Sequence, residues 1–329
     1  MTPEDYAALT RWVVQSAGGY LRNVIREPLV TCAVCGTPVT PGWSRCRPCD
    51  GRTTRGGLAD RVASITYAIS GQQSGRLMRM YKSELATEHQ RALVGILLLL
   101  ATHEHMSCLN AVSFDPVTAW AHVPSLSGRP GTHPLHPFIA GALPSLPEVP
   151  LVASKTVTDP RALRGDHFST ISSLDDEHVL LIDDTWASGG HVQSAALTLH
   201  AAGAAEVSVL TVARWLEPSF GNTASFISDR LTADFDAGLC PWTAGECPRQ
   251  TRSLHDRVCR RVRTLPPTSE SASSSWLRRC QFCRNARVMR PPQPWVTRSQ
   301  DPARGALDAR VAHPDWPSER IRVHSHPTD

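Results

Sequence analysis

The chain has 329 residues, 41% of them apolar and 19% charged, with 26 Pro, 21 Gly and a formal net charge of +4. This suggests about two domains and excludes a wholly disordered or fibrous protein. The most apolar run, Ala92 to Ala101, is far short of the ~20 residues that span a bilayer, and the opening MTPEDYAALT is acidic where a signal peptide is basic, so the expectation is a cytoplasmic protein without a membrane partner.

In chain order, Asp5 to Ile25 reads as helical with a weak point at Gly18-Gly19, and a cysteine-rich segment follows from Cys32 to Cys49. Leu85 to His103 predicts a second helix. Val117 to Val123, Val149 to Ala153 and Val179 to Ile182 have the length and pattern of strands. Val192 to Ala202 reads as an Ala-rich helix ending before Gly203, and Val207 to Ala213 as a β-branched strand. Strands alternating with helices imply an α/β fold with a parallel sheet. Further on, Leu254, Val258, Val262 and Leu265 share one helical face, Ser269 to Ser275 reads as a linker, and Pro291 to Asp329 as a disordered tail. The boundaries expected are an N-terminal helix at 1–30, a metal-binding segment at 31–60, an α/β domain at 61–215, a basic region at 216–290 and a tail at 291–329.

The basic charge is unevenly placed. Thirty-two of the 34 basic residues are Arg, and only Lys82 and Lys155 are Lys. Arg249 to Arg290 carries 11 Arg against Asp256 and Glu270, a net +9 in a chain whose total is +4, so the remainder is acidic. Such a stretch would meet a polyanion, single-stranded DNA for instance, or dock onto the acidic body itself.

Cys32, Cys35, Cys46 and Cys49 form C-x2-C-x10-C-x2-C, two facing pairs that suit tetrahedral thiolate binding of a structural Zn²⁺; the alternative is two disulfides. Cys240, Cys247, Cys280 and Cys283 form a less regular set and a candidate second zinc site, with His255 and Cys259 competing as ligands. Cys108 reads as a core thiol. His133 and His136 in THPLHP read as part of a turn entering the next helix rather than as a ligand pair.

The most informative stretch is His178 to Ala202. An apolar strand ends in Asp183 and Asp184 and runs through Ser188, Gly189 and Gly190 into a helix. Backbone N–H groups at a helix N-terminus hold a phosphate, glycine lets the anion approach, and nearby carboxylates accept hydrogen bonds from ribose hydroxyls. The alternative is a βα turn whose aspartates cap the helix.

The segment VLLIDDTWASGGH resembles the phosphoribosyl pyrophosphate (PRPP) motif of the type I phosphoribosyltransferases, and within them of the ComF-like competence proteins, which also carry a four-cysteine zinc segment ahead of the transferase domain. The resemblance implies a type I phosphoribosyltransferase-like sheet flanked by helices, with an N-terminal zinc ribbon or knuckle and a C-terminal Cys/Arg-rich appendage. Asp183 and Asp184 match the ribose-binding acids, Ser188 and Gly189 the phosphate loop, and Thr185, Trp186 and Gly190 fall at variable positions. Ala187 and His191 depart from hydroxyl residues. Tyr67 to Lys82 is similar to a Y-x-G...L...K segment, and Val123-Pro124-Ser125 with Arg129 and Gly131 to the pyrophosphate loop. The family's flexible basic loop would lie between Ser154 and Ser173, where Lys155, Arg161 and Arg164 are the available cations.

What the resemblance implies is transfer of a phosphoribosyl group from PRPP with Mg²⁺ to an unidentified nitrogen acceptor, with Asp183 and Asp184 as the catalytic pair. A second reading is a non-catalytic PRPP sensor acting on nucleic acid through residues 249–290. A third is a structural module docked by its Arg-rich helix.

Overall fold

A computed structural model describes residues 2–126, 133–155, 157, 159–243 and 247. Arg129, His255, Cys259, Cys280, Cys283, the basic stretch 249–290, the expected helix from Leu254 to Leu265, the Ser-rich linker and the C-terminal tail lie outside the described residues.

Thr2 caps the first helix, α1 (Pro3–Val13): its hydroxyl accepts from the Asp5 N–H at 3.1 Å and its own N–H donates to the Asp5 carboxylate at 3.0 Å. One π-helical turn, Val14–Gly18, follows. The helix stops there rather than at Ile25, because the next residues are taken up by the sheet. Asn23 bridges to Thr66, and the Arg22 carbonyl accepts from the Tyr67 N–H at 2.8 Å.

The chain continues through α2 (Arg47–Asp50), β1 (Arg61–Ile69), α3 (Gln73–Met80), α4 (Glu88–Val112), β2 (Ala119–His122), α5 (His136–Ala142), β3 (Val152–Ala153), β4 (Phe168–Ser169), β5 (His178–Trp186), α6 (Gly190–Ala201), β6 (Glu206–Leu216) and α7 (Thr223–Arg230). A four-stranded sheet has the order β1-β6-β5-β2 with every pairing parallel, and β3 and β4 form a separate antiparallel pair. The expected α/β fold with helices flanking a parallel sheet is therefore the fold observed. The expected Val149–Ala153 strand is shortened to β3, although the Val149 N–H still donates to the Trp120 carbonyl at 2.7 Å.

Both faces of the sheet are covered, which is why its inner strands are continuous apolar runs. Leu180, Ile182, Leu210 and Val212 pack with Leu93 and Leu97 of α4, whereas Val179, Leu181, Val207 and Val209 pack with Ala195 and Leu199 of α6 and with Cys32 and Cys35. The period of two sorts neighbouring residues onto opposite faces. α4 starts at Glu88, because Thr87 and Gln90 form a reciprocal cap, and runs nine residues beyond the expected end at His103. It is long and apolar enough to cross a membrane by length and composition, yet Leu93, Val94, Leu98 and Leu109 are fully buried against the sheet and α1.

The cysteine segment is fastened to β1. The buried Tyr67 hydroxyl donates to the Gly36 carbonyl at 2.6 Å and accepts from the Ile25 N–H at 3.3 Å. Tyr67→Phe should cost about 1–3 kcal/mol in chemical denaturation. It should also weaken the hold of the four cysteines on added Zn²⁺, read in competition with a chromophoric chelator, since the lost partner sits on the turn between Cys35 and Thr37.

Candidate functional site

β5 is an inner strand, and its C-terminal end carries Asp183 and Asp184, both buried at 8% and 3% exposure. Two adjacent carboxylates in such a place need neutralising. Asp184 Oδ2 accepts from the Tyr81 hydroxyl at 2.6 Å, forms an ion pair with Lys82 Nζ, and lies 3.7 Å from His133 Nε2. Asp183 Oδ1 accepts from the Asp184 N–H at 2.8 Å. Burial works to raise the Asp184 pKa, but Lys82, Tyr81 and His133 outweigh it and hold the carboxyl below its ordinary value. Asp183 goes the other way: burial and the neighbouring Asp184 charge push it far above the usual carboxylate range. The pair therefore carries about one negative charge, balanced by Lys82.

The turn after β5 is shaped by two arginines. Arg214 on β6 is 7% exposed, and its Nη1 donates to the carbonyls of Trp186 at 2.8 Å, Ala187 at 2.8 Å and Trp215 at 2.6 Å. Arg52, just past α2, donates to the Ser188 carbonyl at 2.8 Å. In a trans peptide the N–H points opposite to the C=O it shares a plane with. Holding the carbonyls of 186, 187 and 188 toward the arginines thus turns the N–H groups of Ala187, Ser188 and Gly189 away from those guanidinium groups. Gly189 sits at φ +77°, where a Cβ would strike the Trp186 indole, and a Cβ on Gly190 would overlap the Arg161 carbonyl.

The remaining expected residues take varied places. Thr185 is half-buried on β5. His191 packs its ring on Phe168 of β4, 5.3 Å between centroids, and burial pushes its pKa down to about 4, so it is neutral near pH 7. The Val123 N–H donates to the Ile182 carbonyl at 3.0 Å, which brings the chain leading to Ser125 alongside β5. Lys155 is exposed past β3. Arg164 grips Asp166 with two hydrogen bonds of 2.9 and 2.7 Å, and its N–H donates to Ser194 Oγ on α6 at 2.9 Å. With the Arg161 carbonyl against Gly190, residues 159–164 lie over the first turn of α6.

Tyr81, His133, Arg52 and Arg214 are site residues that no motif marks. Lys82 is visible in the sequence only as one of two lysines and through the family resemblance. His136 does not reach the doublet but hydrogen-bonds Glu148 at 2.9 Å beside His122. A cavity of about 530 Å³, lined by Gln72, Gln73, Arg76, Thr87 and His89 among others, opens around the start of α3 and includes neither aspartate.

Cys32, Cys35, Cys46 and Cys49 converge, their sulfurs all within 4.8 Å of one another and Cys35 to Cys46 at 3.7 Å. A tetrahedron of ~2.3 Å zinc–sulfur bonds has edges of about 3.8 Å, so the set fits Zn²⁺. Cys240 and Cys247 converge as well, on His105 and Cys108 of α4.

No protein-family model and no curated protein matches the chain. Solved structures similar to it include a purine phosphoribosyltransferase from Pyrococcus horikoshii Ot3, with 14% identity over 40% of this chain and 90% of that one, at a TM-score of 0.25. Two adenine phosphoribosyltransferases are also similar. The one from Leishmania donovani has 16% identity over 49% of this chain and 76% of that one, at a TM-score of 0.28. The one from Trypanosoma brucei, solved with AMP, pyrophosphate and ribose-5-phosphate, has 14% identity over 56% and 90%, at 0.26. Likenesses at these TM-scores set no activity for this chain.

Lys82→Met should cost about 3–5 kcal/mol in urea denaturation by leaving the buried Asp184 carboxylate without its cation, and adding Asp184→Asn should recover most of that loss. Because the folded protein holds a proton on Asp183 that the unfolded chain releases above its ordinary pKa, stability falls as pH rises through the folded-state value. Asp183→Asn should therefore raise Tm more at about pH 8.5 than at about pH 5 in thermal scans.

Proposed function

We propose that the chain binds PRPP at the end of β5 and transfers its phosphoribosyl group to a nitrogen acceptor, releasing pyrophosphate. The observation that carries this reading is the joining of two features. Arg214 and Arg52 hold the carbonyls of the loop that leads into α6, which leaves its N–H groups turned away from them, and a buried carboxylate pair stands immediately before it. The first suits a phosphate dianion and the second a ribose diol. The four-cysteine segment, whose neighbour Arg52 holds the same turn, supports placement in the ComF-like subgroup.

In this reading the amides of Ala187, Ser188 and Gly189 and the start of α6 bind the 5′-phosphate, replacing the side-chain contacts that Ala187 and neutral His191 do not make. Asp183 and Asp184 accept from the ribose hydroxyls and face the positive charge that develops at C1 as its bond to pyrophosphate breaks. Pyrophosphate leaves with the bonding electron pair, the acceptor nitrogen forms the new bond to C1, and its proton passes to solvent. Mg²⁺ bound with the pyrophosphate would neutralise that leaving group, and Asp183 and Asp184 are the hard oxygen donors beside it. Lys82 fixes the orientation of Asp184, and the turn at 159–164 limits water at the phosphate end.

Titration calorimetry of zinc-replete protein with Mg²⁺ and PRPP should show binding that is absent in Asp183→Asn/Asp184→Asn, with the variant's fold checked by its Tm. Repeating the titration in buffers of different ionisation enthalpy should show proton release, because a carboxylate accepting two hydroxyls gives up the proton that Asp183 carries. Unchanged PRPP binding by the double variant would refute the site.

A further inference from the structure

We propose a second zinc site formed by His105, Cys108, Cys240 and Cys247, which staples the segment after α7 to the core helix α4. The four ligand atoms lie within 4.8 Å of one another: His105 Nδ1 is 3.5 Å from Cys247 Sγ and 3.9 Å from Cys108 Sγ. These spacings bracket the nitrogen–sulfur edge of a zinc tetrahedron, about 3.6 Å. His105, Cys108 and Cys240 are buried, and Cys247 closes the site from the rim.

The histidine is set up as a ligand. His105 Nε2 lies 3.1 Å from the Ala237 carbonyl, which can only accept, so Nε2 carries the hydrogen and Nδ1 presents its lone pair to the three sulfurs. A histidine that donates one ring N–H to a backbone carbonyl while the other nitrogen meets the metal is the usual outer-shell arrangement. His105 and Cys108 are three residues apart on α4 and so share a face. The opposite pair is delivered by a fastened segment. Asn23 makes two hydrogen bonds of 2.8 Å to the backbone of Asp236, Arg22 Nε donates to the Leu231 carbonyl at 2.8 Å, and Arg26 Nε donates to the Pro241 carbonyl at 3.0 Å. Three sulfurs and one imidazole nitrogen in a tetrahedral arrangement select Zn²⁺ among the common divalent ions.

The site uses Cys240 and Cys247, as the sequence spacing suggests, but completes them with two residues of α4. Cys280 and Cys283 are not required. Its position ties the chain just ahead of Arg249, where the basic stretch begins, to the helix that fills one face of the sheet.

The test is zinc content of the full-length protein by mass spectrometry. Two zinc per chain are expected in wild type, one in Cys32→Ser/Cys35→Ser, one in Cys240→Ser/Cys247→Ser, and two in Cys280→Ser/Cys283→Ser. Cadmium-113 resonance of the wild-type protein guards against a variant that does not fold: one signal from an all-sulfur site and a second coupled to an imidazole nitrogen are expected. A single zinc in wild type would overturn the proposal. So would loss of the second zinc in Cys280→Ser/Cys283→Ser, or a cadmium spectrum with no nitrogen-coupled signal.

Discussion

Keeping two adjacent carboxylates at the buried end of an inner strand is the constraint on which the site depends. A lone buried carboxylate would take up a proton rather than stay charged, and two would repel one another. The chain meets this with a cation and a hydroxyl from consecutive residues, Lys82 and Tyr81, carried by the turn that follows α3. α3 must therefore lie close on β1, and it does: a Cβ on Gly75 would overlap the Ile69 carbonyl, and Ser74 Oγ accepts from the Ile69 N–H at 3.1 Å. The close packing of one short helix thus sets where the cation and the hydroxyl that the carboxylate pair depends on are placed.

The second organising element is the pair of arginines behind the turn. Arg214 belongs to the neighbouring strand and Arg52 to the segment past the cysteine cluster, yet both satisfy carbonyls of the same loop. The orientation of the loop's amides is then a property of the sheet and of the cysteine module together. Ser188 Oγ adds a hydrogen bond from the Gly190 N–H at 3.4 Å.

Much of the sheet was legible in the sequence because β5 and β6 are buried on both faces and read as continuous apolar runs. β1 was not, since Arg61–Ile69 mixes Ser64 and Thr66 into its apolar pattern; Ser64 pairs with Thr211 at 2.6 Å inside the sheet, a partner no local pattern reveals. The last nine residues of α4 were hidden for a similar reason, as His105 and Cys108 look polar or neutral in sequence and are buried in the fold. The aspartate doublet and the Gly-Gly turn stand out because their chemistry is local. Lys82 does not, since its partner is over a hundred positions away, and neither does Arg214, whose role is to hold backbone groups that every residue possesses. Cys108 reads as a core thiol until its spacing from His105 on one helical face is set beside Cys240 and Cys247.

The two clusters of metal-ligand side chains close very different lengths of chain. Cys35 and Cys46 are 11 residues apart, whereas His105 and Cys247 are 142 apart. By the logarithmic cost of loop closure, bringing the second pair together from a random chain costs about 2 kcal/mol more than the first. The first cluster can assemble while the sheet is still being synthesised, within the 18 residues from Cys32 to Cys49. The second can assemble only after β6 and α7 have been made and α4 has found its place. During synthesis, the nascent protein would pass through a stage in which the four N-terminal cysteines can already meet while three of the four side chains of the other cluster have left the ribosome, awaiting the last.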